Sequence, residues 1–561
     1  MSAWGLDERR IALERASREG VDVLVVGGGI TGAGVLRDAA SRGLSALLVE
    51  RLDFACGTSS RSSKMIHGGL RYLAHGQFAV TRQAVQERDL LARLNPNLVR
   101  PLEFLFPAWR DGKTPYWQVR AALSVYAALA NFRRSSRFKM LGADEVAEFC
   151  PGLRQDGLRG AGVYRDAEVD DARLVLEVLK SARRLGAEAV NRAEVVGFER
   201  NGDRRIRAVQ VHDELAGVTV RIPAHAVVNA AGPGVERVRG LDRPTTTHSL
   251  RPAKGVHLVI SRQRIPARGA VAFEGLDGRH LFLFPWDDVA IIGTTDTWTS
   301  EIGEPIVTIE EAHYLLSAAN RAFPHAALTT NDLRCVYAGV RPLVGSPDDG
   351  DKPPSSVSRD HQVWDDPCGL VSAAGGKLTT HRATGEEIVD RVLHHLPDER
   401  RTAAGPSRTA ELPLRDDAFE RAELEELLCA RYELDSARAA RLVRTWGADA
   451  ERLLEEAPVE ERRPIGRSRF SFAEIGWSLR SECVTSLCDL LERRLRLALL
   501  AEGQGLWELE EIADSAAVAA GWDADRRRAE CEAYREAVCT RYQIHPAPAS
   551  VKPAEARSAA A

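Results

Sequence analysis

The 561-residue sequence carries no surplus of either charge: 76 Lys and Arg stand against 80 Asp and Glu, a net charge of −4. That balance excludes the basic footprint expected of a nucleic-acid-binding chain. Its nine cysteines, Cys56, Cys150, Cys335, Cys368, Cys429, Cys483, Cys488, Cys531 and Cys539, are scattered and contain no CxxC pair. An odd count with irregular spacing argues against a disulfide framework and against a metal site, and suits reduced thiols in a cytosolic setting. Residues 1–20 are charged and lack the apolar core of a signal peptide. No apolar run approaches the ~20 residues that cross a bilayer, so a membrane would be met along one face only. No internal repeat is evident.

What is present begins at Val21-Asp-Val-Leu-Val-Val26, followed by Gly27-Gly-Gly29-Ile-Thr-Gly32, a helix-like stretch to Arg42, the run Ser45-Ala-Leu-Leu-Val49 and then Glu50. This is a strand, a glycine turn, a helix, a second strand and a terminal acid. Gly27 permits the tight turn, Gly29 lets a pyrophosphate approach the backbone, and Gly32 lets helix and strand pack closely. The helix N-terminus favours anionic phosphates. Glu50 follows Gly32 by 18 residues, about where a ribose-binding acid belongs. The pattern specifies a dinucleotide cradle without separating FAD from NAD.

The length points to more than one structural unit. Residues 1–20 read as a short amphipathic leader helix or a frayed end. A helix is expected over residues 78–94, and another opens at Asp170 or Asp171, either of which suits an N-cap. Residues 206–212 and 218–222 alternate around Gly217 and read as a hairpin. Residues 227–232 read as a separate buried strand entering a small-residue turn. Several β-like runs between 255 and 345 suggest a second, mostly antiparallel sheet, and 369–380 reads as strand, glycine turn and helix. Residues 399–413 are polar and Pro-containing, a linker. The stretch 414–545 is helix-like, with Val484, Leu487, Cys488, Leu491 and Leu495 on one face, and 546–561 reads as a disordered tail.

Five distant segments share glycine or serine enrichment and a charge: the loop 57–72, Lys254-Gly-Val-His257, Gly293-Thr-Thr-Asp296, Gly339-Val-Arg-Pro-Leu343 and Gly375-Gly-Lys-Leu-Thr-Thr380. Gly27-Gly-Gly-Ile-Thr-Gly-Ala-Gly34, the string from Thr58 through His67-Gly-Gly-Leu-Arg-Tyr72 to Leu73, Val169-Asp-Asp-Ala-Arg-Leu-Val175, Ile292-Gly-Thr-Thr-Asp296, Gly339-Val-Arg-Pro-Leu343 and Gly376-Lys-Leu-Thr-Thr380 occur in that order and together closely resemble the FAD-dependent glycerol-3-phosphate dehydrogenases. The match runs over residues 20–395. Leu490-Leu-Glu-Arg-Arg-Leu-Arg-Leu497 is similar to part of that family's C-terminal domain. One departure is Gly234, where the family usually has Trp.

The resemblance implies an α/β FAD-binding domain of the glutathione-reductase and D-amino-acid-oxidase-like Rossmann type, a mostly antiparallel substrate-binding sheet and an all-α C-terminal domain. The oxidoreductase domain would span 21–398, its FAD-binding part 21–100, 170–250 and 350–398, its substrate part 101–169 and 251–349. It also implies FAD contacts at Gly27, Gly29, Ile30, Thr31, Gly32, Glu50 and Arg51. Further contacts follow along Thr58, Ser59, Ser60, Ser63, Lys64, Met65 and Ile66, at Val195, Ala231 and Gly232, and at Gly376, Lys377, Leu378 and Thr379. The substrate would be glycerol 3-phosphate, oxidised to dihydroxyacetone phosphate by hydride transfer from C2 to flavin N5. A dianionic phosphate suits arginine forks, and Arg71, Tyr72, Lys254 and Arg341 are the implied substrate contacts. Arg341, His67 and Lys377 are the implied catalytic groups, with His67 as base or Arg341 as the polarising cation; His257 and His381 are weaker candidates for the base.

Relatives of this kind pass electrons to a membrane quinone, which implies a cytoplasmic protein peripheral on the inner face of the cell membrane. Residues 116–139 are aromatic and apolar, then basic, as an interfacial helix requires. A buried helix with a solvated basic end explains the same residues. The alternatives to a quinone-linked dehydrogenase are an oxidase that uses oxygen, and a flavin-binding sensor or scaffold without turnover. An amine or amino-acid oxidase on the same fold would not need three cations in glycine-rich segments. A homodimer is left open.

Overall fold

The computed structural model describes residues 3–73, 76–131, 133, 136–242, 250–345, 354, 357, 360–416 and 419–546, with the side chains of Arg71 and Tyr72 outside that set. The proposed tail beyond residue 546 also lies outside it.

Val21–Val26 forms the middle of a sheet whose strand order is Gln362–Asp366, Leu370–Ala374, Val218–Asn229, Val21–Val26, Ala46–Val49 and Glu188–Val190. The four pairings from Leu370–Ala374 to Glu188–Val190 are parallel. Parallel strands covered on both faces need continuous apolar runs, which Val23, Leu24, Val25 and Leu47, Leu48 supply, all buried. Val218–Asn229 is one strand, not the two read from the sequence. Its first half pairs antiparallel with Ile206–Asp213, and its second half enters the parallel sheet beside Val21–Val26.

The glycine turn follows. Gly27 has φ +111°, and a Cβ there would lie 2.6 Å from the Ala230 carbonyl. A Cβ on Gly32 would lie 2.0 Å from the Gly27 carbonyl, so only glycine lets helix Ile30–Ser41 start this close to the turn. Helix Phe78–Leu94 has the expected bounds. Asp170 caps helix Asp171–Arg184, accepting from the Ala172 and Arg173 N–H groups.

The second sheet has ten strands, all paired antiparallel except Ala270–Glu274 with Arg100–Trp109. Its longest pairing joins Leu250–Ser261 to Leu333–Val344. Beyond it lie the C-terminal helices, from Arg421–Tyr432 to Ala524–Arg541. The face proposed for Val484–Leu495 is not a regular α-helical one. Val484 precedes the helix, residues Leu490–Arg494 form a π turn capped by Leu495, and Arg496, with φ +63°, opens the next short helix.

That π turn places Arg493 and Arg494 against Asp53, at 2.6 and 2.8 Å, in the loop after the second cradle strand. The two guanidiniums outweigh the cost of burial and hold the Asp53 carboxyl well below its ordinary range. The leader is a helix, Leu6–Glu19, fastened by the buried Arg9–Asp213 pair and by Trp4. The linker is not loose. Arg37 donates to the carbonyls of Thr409 and Leu412, Ser407 donates to Asp38, and Thr409 and Leu414 are buried.

Candidate active site

The five charged segments converge on one cavity of about 630 Å³. His67, Arg341 and Lys377 all line it, as do Thr58, Ser63 and Met65 from the serine-rich loop and Gly376, Leu378 and Thr379 from the last turn. Two walls are tied together at one point. The His67 N–H donates to Thr379 Oγ1 at 3.2 Å, and that hydroxyl donates to the His67 carbonyl at 3.3 Å. The turn Leu378–Thr380 runs into helix His381–Val392, so positive backbone dipole is presented where Leu378 and Thr379 meet the cavity.

Strand parity decides which side chains reach the cavity. Along Leu250–Ser261, Gly255 and His257 line it, and Lys254 and Val256, of the opposite parity, do not. Lys254 is therefore not a cavity residue, contrary to the substrate role expected of it: its Nζ lies 2.9 Å from Glu311 and donates to the Ile306 carbonyl. On the neighbouring strand Arg341 stands opposite Ala253, and its guanidinium lies over Gly255, where a Cβ would be 2.3 Å from Nη2. Nη1 donates to Asp296 Oδ1 and Nη2 to Thr294 Oγ1, each at 3.0 Å. The fork is thus oriented from behind by a buried carboxylate.

His257 stacks on Tyr337 with ring centroids 4.6 Å apart, and its Nε2 is 2.8 Å from Ser63 Oγ. Its Nδ1 is buried without a hydrogen-bond partner among the described residues. Burial, with the nearby Arg341 and Lys64 charges, pushes its pKa well below the ordinary 6.5. His381 is not at the cavity: it is buried, its Nδ1 is 2.9 Å from the Leu378 carbonyl, and burial pushes it down to about 4.

The hydroxyl-rich loop differs from expectation. Ser59 alone sits at the helix N-terminus, accepting from the Ile30 N–H at 3.0 Å. Thr58 donates to the Val340 carbonyl, Ser62 to Asp171, and Ser63 pairs with His257. The Ser60 carbonyl is shared by Lys64 and Arg496. Lys64 is wholly buried, φ +56°, with Nζ 3.1 Å from Asp171. Burial and the Arg496 charge push it down to about 8. Its side chain braces the loop from inside, so a cofactor can meet only its backbone. Met65 and Ile66 form a short strand behind it.

At the other end of the cradle Glu50 accepts from the Gly28 N–H at 2.7 Å and the Leu52 N–H at 2.8 Å. Burial raises its pKa. Arg51 is exposed, Val195 is buried on strand Ala193–Arg200, and Ala231 and Gly232 follow the Ala230 carbonyl that abuts Gly27. Gly29 and Thr31 are partly exposed at a helix N-terminus, while Gly27 and Gly32 are buried against the Ala230 carbonyl and the turn itself. A glycine turn at a helix N-terminus, with a buried acid at the end of the second strand, fits the dinucleotide of FAD.

The cavity's other half is apolar, walled by Phe78, Phe104, Phe106, Val125 and Phe282. Phe78 is 51% exposed and Val125 41%, and Trp117 on the same helix as Val125 is 67% exposed. That helix is Tyr116–Leu129, shorter than the 116–139 expected; a strand begins at Lys139. Among the described residues no helix is long and apolar enough to cross a membrane, and no cluster could hold a metal ion. Sequence reasoning missed Arg61 and Asp166, both cavity residues. Arg61 pairs with Glu304, which also pairs with Arg541 of the last helix. Asp166 accepts from Tyr126 and Arg88, each at 2.6 Å. Their partners lie 40 to 243 residues away in the chain, and no local pattern signals them.

Comparison with known proteins agrees with this geometry. Residues 22–391 match the FAD dependent oxidoreductase family, and residues 407–527 match the C-terminal domain of alpha-glycerophosphate oxidase. The chain is 35% identical over 497 residues to an aerobic glycerol-3-phosphate dehydrogenase of Staphylococcus haemolyticus, covering 87% of this chain and 88% of that one. It is 35% identical over 484 residues to the protein of that name from Staphylococcus aureus, covering 84% and 86%. The solved glycerol-3-phosphate dehydrogenase from Bacillus halodurans, complexed with FAD, superposes with a TM-score of 0.79 at 29% identity, covering 97% of this chain and 99% of that one.

Proposed function

The chain belongs to the FAD-dependent glycerol-3-phosphate dehydrogenase family, and from that premise we propose that it oxidises sn-glycerol 3-phosphate to dihydroxyacetone phosphate and passes the electrons to a membrane quinone. FAD, when bound, would supply the two-electron acceptor for the hydride that leaves substrate C2. The observation that carries the reading is the convergence of Arg341, His67 and Lys377 on one cavity.

Each residue has a defined task. Arg341, held by Asp296 and Thr294, offers the substrate a fixed cationic fork for the phosphate or for the charge developing on the C2 oxygen. Lys377 adds a second cation in the turn facing it. His67 accepts the hydroxyl proton in our assignment. His257 is the second candidate, because its depressed pKa keeps the imidazole neutral, hence able to accept, throughout the physiological range. The apolar walls exclude water from the reacting atoms. Arg71 and Tyr72 remain proposed substrate contacts from the resemblance alone.

The apolar half of the cavity, with Phe78 and Val125 exposed in its wall and Trp117 exposed on the same helix as Val125, favours a lipid-soluble quinone over oxygen, which needs no such surface. The same exposed side chains would rest on the inner face of the membrane. Two measurements test this. Turnover with a soluble quinone analogue should exceed turnover in air without one, and hydrogen peroxide should be a minor product; stoichiometric peroxide would make the protein an oxidase. Co-sedimentation with anionic vesicles should occur and weaken with salt; equal recovery in the supernatant with and without vesicles would remove the peripheral location.

A further inference from the structure

Two connected hollows lie between the second sheet and the C-terminal helices, and neither shares a lining residue with the active-site cavity. The outer cleft measures about 1270 Å³, the inner recess about 30 Å³, room for one small group. Arg100, Glu168, Asp287, Arg441, Phe470 and Leu500 wall both.

Of the acids at this junction, Glu168 pairs with Arg100, Asp287 with Arg444, Asp288 with Arg469, Asp170 with Arg496, Glu103 with Arg268 and Glu502 with Arg334, and Glu508 also lines the outer cleft. Arg262 spends its guanidinium on the neutral carbonyls of Asp287 and Ala267. Arg441 is 3% exposed and lies flat on Phe470, 4.2 Å from the ring centroid. Its Nε donates to the Arg469 carbonyl and its Nη2 to Glu474, and its Nη1 is buried with no partner among the described residues. A buried guanidinium N–H without an acceptor is costly. Burial and the neighbouring Arg444 and Arg421 charges also pull the Arg100 pKa down, as expected where cations crowd. The indole of Trp507, 70% exposed, stands in the outer cleft.

We propose that this junction is an oxyanion site. A phosphate or carboxylate group enters the recess and accepts from Arg441 Nη1, and the rest of the molecule lies in the outer cleft among Arg262, Arg467 and Trp507. Arg496, which also walls the recess, donates to the Ser60 carbonyl at 3.2 Å and to Asp171 at 2.9 Å.

The test is thermal unfolding of the FAD-loaded full-length protein against inorganic phosphate, with chloride holding ionic strength constant. Three forms are compared: the native chain, Arg341→Gln, which weakens phosphate binding in the active site, and Arg441→Lys, which keeps a cation beside Glu474 but removes Nη1. Phosphate raises the Tm of most proteins through exclusion from the surface, without saturation; a bound ligand gives a logarithmic dependence set by its Kd. The expected result is a ligand-type Tm rise that survives Arg341→Gln and is lost in Arg441→Lys. An equal, non-saturating rise in all three, or a rise lost in Arg341→Gln and retained in Arg441→Lys, overturns the proposal. Repeating the series with malonate separates carboxylate from phosphate; a ligand-type rise with either supports the site. Should Arg441→Lys not fold, native crystals soaked in selenate decide: an anomalous peak beside Arg441 supports the proposal, and its absence there overturns it.

Discussion

Gly255 is the position where the least chemistry should do the most damage. It carries no functional group, yet Arg341 lies directly over it. Replacing it with alanine would place a methyl group 2.3 Å from Nη2, 2.6 Å from Cζ and 2.7 Å from Nη1. Ordinary contact between heavy atoms begins near ~3.5 Å, so the guanidinium must retreat by about 1 Å. The atoms it meets are the far end of a flexible side chain, and the strand backbone can stay where it is. Stability should fall by only ~1 kcal/mol, the low end of overpacking costs. The retreat strains the Asp296 and Thr294 hydrogen bonds that orient the fork. A misplacement of this size costs about 10²-fold in rate, equal to ~2.7 kcal/mol of transition-state stabilisation. The assay is kcat/KM for glycerol 3-phosphate in Gly255→Ala, Arg341→Ala and the double variant, each checked for flavin content. Gly255→Ala should lose about 10²-fold, and in the Arg341→Ala background it should cost nothing further. Full activity in Gly255→Ala, or an equal loss with and without Arg341, would refute the reasoning.

Gly32→Ala puts a Cβ 2.0 Å from the Gly27 carbonyl, a backbone atom that cannot move aside, so the purified variant should lack the flavin absorbance of the native protein. Lys254→Gln should leave kcat/KM within about 3-fold, while unfolding detects the lost Glu311 pair as ~1–2 kcal/mol. His381, pushed down to about 4 from 6.5, binds its proton in the unfolded chain before it does in the folded one. Its stabilising contribution is whole above pH 6.5 and is lost as pH falls from 6.5 towards 4, ~3 kcal/mol in all. Denaturant unfolding across that range should show a shallower pH dependence in His381→Gln than in the native chain; parallel curves would contradict the assignment.

Features governed by neighbours in sequence were legible. Gly27 and Gly32 declare a cradle because the constraint acts over five residues, and the Asp170 cap and helix Phe78–Leu94 follow from local periodicity. Features governed by partners across the fold were not. Lys254 and His257 look equivalent in one short motif, but strand parity sends them to opposite faces. The serine-rich loop reads as a phosphate wrap until Thr58 is found bonded to Val340, 282 residues on. The single strand Val218–Asn229 was divided because it changes partners midway, which pairing reveals and propensity does not. The Asp53 clamp needs a π turn to present two adjacent arginines, and regular 3.6-residue periodicity hides it.

The direct trial of substrate and cofactor together is anaerobic mixing of the purified yellow protein with sn-glycerol 3-phosphate while the visible flavin absorbance is followed. Rapid bleaching by this compound, and neither by glycerol nor by amino acids, is the predicted result. A colourless protein that FAD does not reconstitute, or a flavin that glycerol 3-phosphate leaves oxidised, would contradict the account.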